Sequence, residues 1–142
     1  MNEKATKFEL AIQEMNIPWF TKVEQMDPYN TVLFRSELAV QDMRLPVFVV
    51  LDNTIFTVIR LVVANGKVRT KRRAAMDNFL GDLNSRFKVF KYYVSDEDEA
   101  IYCDISIPVN AENFDPKLPM YLIGELLLPH IDEYYKPIMA LM

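Results

Sequence analysis

The chain has 142 residues, of which 51% are hydrophobic and 25% charged, and its net charge is −4. This length is typical of one domain and allows a core to form without disulfides or metal, so we predict a single domain over residues 1–142. The negative charge argues against a whole-protein attraction to nucleic acid. One cysteine, Cys103, excludes an intrachain disulfide and fits a reducing compartment.

The N-terminal segment and the apolar runs indicate the compartment. Met1–Met15 is charged and amphipathic and lacks the apolar region of a signal peptide. No apolar run approaches the roughly 20 residues that a membrane span needs. We therefore expect a cytoplasmic protein with no membrane contact.

The first predicted element is a helix over residues 3–15. Ala5, Phe8, Ile12 and Met15 follow one another at spacings of 3, 4 and 3, which places them on one helical face. Pro18 ends the pattern.

Strands are predicted from Trp19 to Ala64. Trp19–Val23 is a candidate short strand, and Thr31–Val40 alternates between an apolar and a mixed face. Leu45–Leu51 and Thr54–Ala64 are rich in β-branched residues, and turn residues separate them. This order predicts three or four sequential antiparallel strands.

A second helix and a hairpin follow. The helix is predicted over roughly residues 70–85, with Thr70 as its cap and with Ala75, Phe79, Leu83 and Phe87 on one face. The hairpin has two predicted strands, Phe87–Val94 and Ala100–Val109. The acidic turn Ser95–Glu99 joins them.

The last predicted element is a long apolar helix that starts within Pro116–Pro119. Pro129 and Pro137 should kink it or split it. The complete order is helix, three or four strands, helix, two strands, helix. Clustered strands without strand–helix alternation predict an α+β fold, with an antiparallel sheet of five to six strands and three helices on one side.

Residues 71–109, KRRAAMDNFLGDLNSRFKVFKYYVSDEDEAIYCDISIPV, resemble part of a known family. A helix ending in a Leu-Asn step, here Leu83-Asn84, then a turn with Ser85-Arg86 and a hairpin, is similar to the YbjN-like bacterial sensory transduction regulator family. That family has the type III secretion chaperone-like fold. The resemblance implies a small, dimeric, non-enzymatic domain whose relatives hold partner polypeptides on their sheet or flank.

The last helix is apolar over more of its circumference than one sheet can cover. Its aromatic and methionine side chains are of the types favoured at binding surfaces. The candidate partner-binding residues are Tyr121, Leu128, Tyr134, Tyr135, Met139 and Met142. The alternative is that this apolar excess packs under the first helix.

A basic cluster surrounds the predicted start of the second helix. It consists of Lys67, Arg69, Lys71, Arg72 and Arg73. Cations oppose the helix dipole there, so an anion or an acidic partner segment is one explanation. The alternative is solvated side chains, some of them paired with Asp96–Glu99 or with Asp77. No aromatic residues interleave with the cluster, which makes nucleic acid an unlikely partner.

Residues with catalytic or metal-binding potential are few. His130 is the only histidine and has only carboxylates near it in the sequence, whereas a metal site needs several convergent ligands. Cys103 alternates with Ile101 and Ile105, which predicts a buried thiol. The three glycines form no phosphate-binding loop. We therefore predict no enzyme, no cofactor and no metal.

Two functional hypotheses remain. The first is a protein-interaction module, chaperone-like or regulatory, that acts as a homodimer and binds a partner polypeptide through an apolar surface. In this hypothesis the basic cluster supplies electrostatic steering. The second is an anion- or nucleic-acid-binding protein that uses residues 67–73.

Overall fold

A computed structural model describes all residues, 1–142, and shows an α+β fold with one six-stranded antiparallel sheet. The predicted fold class is therefore confirmed. The elements in chain order are α1 (Glu3–Glu14), β1 (Thr21–Glu24), β2 (Val32–Val40), β3 (Met43–Leu51), β4 (Phe56–Ala64), α2 (Arg73–Arg86), β5 (Lys91–Val94), β6 (Ile101–Pro108), α3 (Leu118–Tyr121) and α4 (Leu128–Met139).

The strands lie in the order β1-β2-β3-β4-β6-β5, and all neighbours are antiparallel. The first four strands follow one another directly, whereas α2 connects β4 to the edge strand β5. Val40 pairs with Met43, so the β2–β3 turn contains only Gln41 and Asp42. Gln41 has a φ of 53°, which the tight turn requires. Strand β3 therefore begins earlier than the predicted Leu45.

One core joins the helices to a single face of the sheet. Phe8 of α1 packs edge-to-face on Phe34 of β2 with ring centroids 4.9 Å apart. The predicted face of α1 is buried at Ala5, Phe8 and Ile12. On β2, β3 and β4 the residues of this sheet face are mostly buried, while the alternate residues are partly exposed. Three helices thus cover one face, since α3 and α4 belong to one continuous C-terminal helix. The other face of the sheet is open.

The start of α2 differs from the prediction, whereas its end at Arg86 agrees with it. Thr70 lies in a short 3-10 turn, Thr70–Arg72, and no side chain caps this turn or α2. At the other end, the Asn84 side chain donates to the Tyr92 carbonyl at 2.9 Å and accepts from the Tyr92 amide at 2.7 Å. This pair of bonds holds the end of α2 against β5.

Strand β5 is shorter than the predicted Phe87–Val94. Only Lys91–Val94 pairs with β6. Phe87 and Phe90 instead pack on the ring of His130 in α4, at centroid distances of 4.7 and 4.0 Å. Contact with the last helix therefore takes this segment away from the sheet ladder.

The C-terminal helix runs from Leu118 to Met139 in three consecutive parts. A π-helical segment, Leu122–Leu127, lies between α3 and α4. The hydrogen-bonding pattern changes just before Pro129, which has no amide hydrogen to donate. Pro137 lies inside α4, which continues past it. The interruption expected from the prolines is thus a change in hydrogen bonding within one continuous helix.

Candidate binding surface on the open face of the sheet

The apolar residues predicted as a partner surface on the last helix do not form one exposed patch. Tyr135 is 7% exposed and belongs to the core cluster. Tyr121, in contrast, is 62% exposed. The remaining predicted residues are partly buried and pack against the core, namely Leu128, Tyr134, Met139 and Met142. Packing into the core therefore accounts for most of the apolar excess of this helix.

The basic cluster is divided among local contacts. Lys67 pairs with Glu99 at 3.4 Å. Arg73 pairs with Asp77 at 3.0 Å, and Arg72 donates to the Ala140 carbonyl at 2.8 Å. Only two members, Arg69 and Lys71, form neither an ion pair nor a side-chain hydrogen bond. These contacts link the start of α2 to the β5–β6 turn and to the end of α4.

An apolar row crosses the open face of the sheet. Val23 of β1 lies opposite Leu33 of β2, Leu33 lies opposite Val50 of β3, and Val50 lies opposite Val58 of β4. Val23 is 44% exposed, and the other three are half-buried. Neighbouring strands are about 4.8 Å apart, so the row is about 14 Å long. We call these four residues the apolar row.

A charged row runs beside the apolar row on the same face. Arg35 lies opposite Phe48, Phe48 opposite Arg60, and Arg60 opposite Asp104. Lys91 of β5 also lies opposite Asp104. Residues two positions apart on a strand are about 7 Å apart, so the two rows are neighbours along β2, β3 and β4.

Asp104 is the most constrained charge on the open face. Arg60 donates to it from Nε and Nη2, both at 3.0 Å, and the Tyr93 hydroxyl donates at 2.9 Å. The carboxylate raises the pKa of Arg60 by accepting these hydrogen bonds. Burial, and then the hydrogen bond to Asp104, raise the pKa of Tyr93. The negative charge of Asp104 is thus satisfied within the protein.

Arg35 lies between two shallow depressions and lines both. One, of about 320 Å³, is mostly apolar and includes Leu33, Phe48 and Val50. The other, of about 490 Å³, is polar and includes Trp19 and Arg44. Arg35 is exposed and forms no ion pair, so its guanidinium is free to bind a ligand.

The two residues with catalytic potential lie in the core. Cys103 is fully buried, and burial raises the pKa of its thiol to about 12. His130 is buried among aromatic rings of the α2–β5 connection, β5 and α4. No group of three or more histidine, cysteine, aspartate or glutamate side chains is arranged to hold a metal ion.

The burial of Cys103 predicts an unreactive thiol. Because the thiolate is the reactive form and the site is closed, native protein should react with Ellman's reagent roughly 100-fold more slowly than urea-unfolded protein. Since Cys103 is the only cysteine, all colour released reports on this site. Equal rates in the native and unfolded protein would mean that the thiol is open to solvent.

A sheet face was one of the expected places for a partner, but no residue of the open face was among the predicted site residues. The only sequence signal for it was the mixed alternate face of Thr31–Val40, which carries Leu33 and Arg35. Alternation divides each strand into two faces, but it does not tell which face the helices cover. That information comes from the packing of α1 and α4 on the sheet.

Comparison of the chain with family models, with curated proteins and with solved structures gives no match. None of the helices combines the length and the apolar character needed to cross a membrane. What the open face can bind therefore follows from its own side chains.

Proposed function

We propose that the protein is a non-enzymatic interaction module, chaperone-like or regulatory, that binds a partner polypeptide on the open face of its sheet. The observation that carries the proposal is the apolar row across four adjacent strands. An antiparallel sheet with one solvated face normally carries polar residues there. Leu33, Val50 and Val58 are apolar instead, which is typical of a face that another polypeptide covers.

The dimensions of the open face suit a protein partner. Strands β2, β3 and β4 have nine residues each, which corresponds to a length of about 30 Å. Six strands span about 24 Å, so the face has an area on the order of 700 Å². One side of a stable protein interface covers about 800 Å².

The resemblance to the YbjN-like family supports the same kind of function. It implies a small homodimeric domain whose relatives hold partner polypeptides. The dimer, and the cytoplasmic location predicted from the sequence, both belong to this proposal. The Leu83-Asn84 step that carries the resemblance fixes α2 to β5 through the two bonds between Asn84 and Tyr92. This step therefore supports the shape of the sheet without itself contacting a partner.

The alternative, an anion- or nucleic-acid-binding protein that uses residues 67–73, has less support. Three of the five cations in that cluster already bind groups of the protein. Free cations in a row, with aromatic rings available for stacking, would be expected in such a site.

The substitution Val50→Glu tests the proposal. Val50 is half-buried at the centre of the apolar row, so a carboxylate there reaches solvent but makes the row polar. We expect capture of the partner by the tagged protein from a nuclease-treated lysate of the source organism to fall roughly tenfold or more. Quantitative mass spectrometry of the captured proteins measures the loss.

Val89→Glu is the matched control. Val89 is exposed in the connection before β5 and lies off the open face, so this variant should capture the partner as the wild type does. Far-UV circular dichroism and urea unfolding establish that both variants are folded. Equal capture by Val50→Glu and wild type would contradict the proposed site, and capture that disappears with nuclease would favour the alternative.

A further inference from the structure

The open face is positively charged although the chain is acidic. Its strand residues include four cations, Arg35, Arg44, Arg60 and Lys91, and two carboxylates, Glu37 and Asp104. The net charge of the whole chain is −4. A second copy that presented the same face would bring its cations against these cations, which disfavours association of two open faces. The charge therefore points to a partner of a different, acidic kind.

Two of the four cations are not neutralised by the protein. Asp104 satisfies Arg60 through two hydrogen bonds of 3.0 Å. Arg44 contacts Glu37 at 3.5 Å, but both side chains are exposed, and such pairs contribute little. Arg35 and Lys91 form no ion pair. Arg35 is the better placed of the two, because it follows Leu33 by two residues on the same face.

The spacing of the rows defines what the partner must carry. An apolar side chain seated over Leu33 and Val50 lies about 7 Å from Arg35 along the strand direction. A carboxylate next to that side chain in the partner is within reach of the guanidinium. Arginine binds a carboxylate through two parallel hydrogen bonds. This geometry fixes the orientation of the carboxylate in addition to attracting its charge.

The two tyrosines of the open face are already engaged in contacts within the protein. Arg60 lies over the ring of Tyr102 at 5.5 Å, and Lys91 lies over that of Tyr93 at 5.4 Å. Their hydroxyls donate to Asp98 and Asp104. Bases stack on free aromatic faces, and each of these two rings already has a cation over one face, so both tyrosines are poor stacking sites for a base.

We propose that the partner is an acidic polypeptide segment in which carboxylates flank apolar side chains. Leu33 and Val50 receive the apolar side chains, and Arg35 receives a neighbouring carboxylate. This inference rests on the proposed function and adds to it the chemical class of the partner.

A random-sequence peptide library displayed on phage provides the test. Selection at low salt on the wild type is expected to enrich peptides that combine aspartate or glutamate with leucine, isoleucine or phenylalanine. Arg35→Glu should bind the enriched peptides roughly tenfold more weakly, because it replaces an attraction by a repulsion. Lys88→Glu is the matched control: Lys88 is exposed, unpaired and off the open face in the connection before β5, so it should change little.

Other results would overturn the inference, and each of them points to a different conclusion. Enriched peptides without acidic residues that still require Val50 would refute the acidic partner and leave the proposed function standing. Peptides that bind Val50→Glu as well as wild type, or no enrichment at all, would refute both. Salt-dependent binding of a labelled single-stranded oligonucleotide that Arg35→Glu abolishes would assign the face to nucleic acid instead.

Discussion

Phe8→Ala is expected to lower the free energy of unfolding by about 4 kcal/mol, the usual cost of removing a buried phenylalanine ring. Phe8 is 0% exposed. Its ring packs edge-to-face on Phe34 at 4.9 Å and on Phe20 at 5.5 Å. The ring therefore joins α1, the segment before β1, and β2 at one point. Its removal leaves a cavity that the nine-residue strand β2 cannot close by a small shift.

Urea unfolding followed by far-UV circular dichroism measures this effect. Phe8→Leu keeps most of the volume and should cost about 1.5 kcal/mol or less. Leu10→Ala is the surface control, because Leu10 lies on the exposed side of the same helix, and its effect should stay within about 0.5 kcal/mol. If Phe8→Ala were no more destabilising than Leu10→Ala, α1 would not pack on the sheet as described.

Acidification from pH 6.5 to pH 4 is expected to cost about 3 kcal/mol of stability through His130 alone. The imidazole stacks on Phe90 with centroids 4.0 Å apart and contacts the rings of Phe87 and Tyr134. Its Nε2 atom has no hydrogen-bond partner. Burial among these rings, and then the positive charge of Arg86, lower the pKa of His130 to about 4.

The sign follows from proton binding in the two states. The unfolded chain takes up a proton on this histidine near pH 6.5, whereas the folded protein does so only near pH 4. Between these values the unfolded state binds more protons, so stability falls as pH falls, by about 1.4 kcal/mol per pH unit. Above pH 6.5 His130 is neutral in both the folded and the unfolded state, so it no longer contributes to the pH dependence of stability.

The variant His130→Leu isolates this effect. Leucine has a similar volume and does not titrate, while the carboxylates contribute equally to both proteins and cancel in the difference. Urea unfolding between pH 4 and pH 7 should show the difference between variant and wild type growing as pH falls and staying constant above about pH 6.5. Parallel pH profiles would mean that folded His130 protonates as readily as the unfolded residue.

Periodicity was sufficient to predict the element order. The spacing of Phe8 and Ile12 identified the buried face of α1, and the alternation of Val32, Phe34 and Val40 identified the buried face of β2. These patterns arise because a helix and a strand each repeat side-chain directions at their own period. Three or four clustered strands then favoured an antiparallel sheet over a parallel one, and the antiparallel α+β fold is confirmed.

Local boundaries were harder to predict, because tertiary contacts decide them. Phe87 and Phe90 have strand-forming side chains, yet their contacts with His130 keep them out of β5. Thr70 has a good capping side chain, yet the chain there forms a 3-10 turn without a side-chain cap. At Phe87 and Phe90, contacts between distant parts of the chain override a local preference that is worth about 1 kcal/mol or less.

Sequence patterns identify which residues are apolar and which side of each element they share, whereas the packing of the elements on one another sets which apolar surface stays open. Tyr135 and Leu33 are both apolar side chains, but the first is in the core and the second lies on the mixed face of β2, which stays open. The difference arises because three helices pack on the same side of one sheet. Burial is a property of two surfaces in contact, and a pattern within one element describes only one of them.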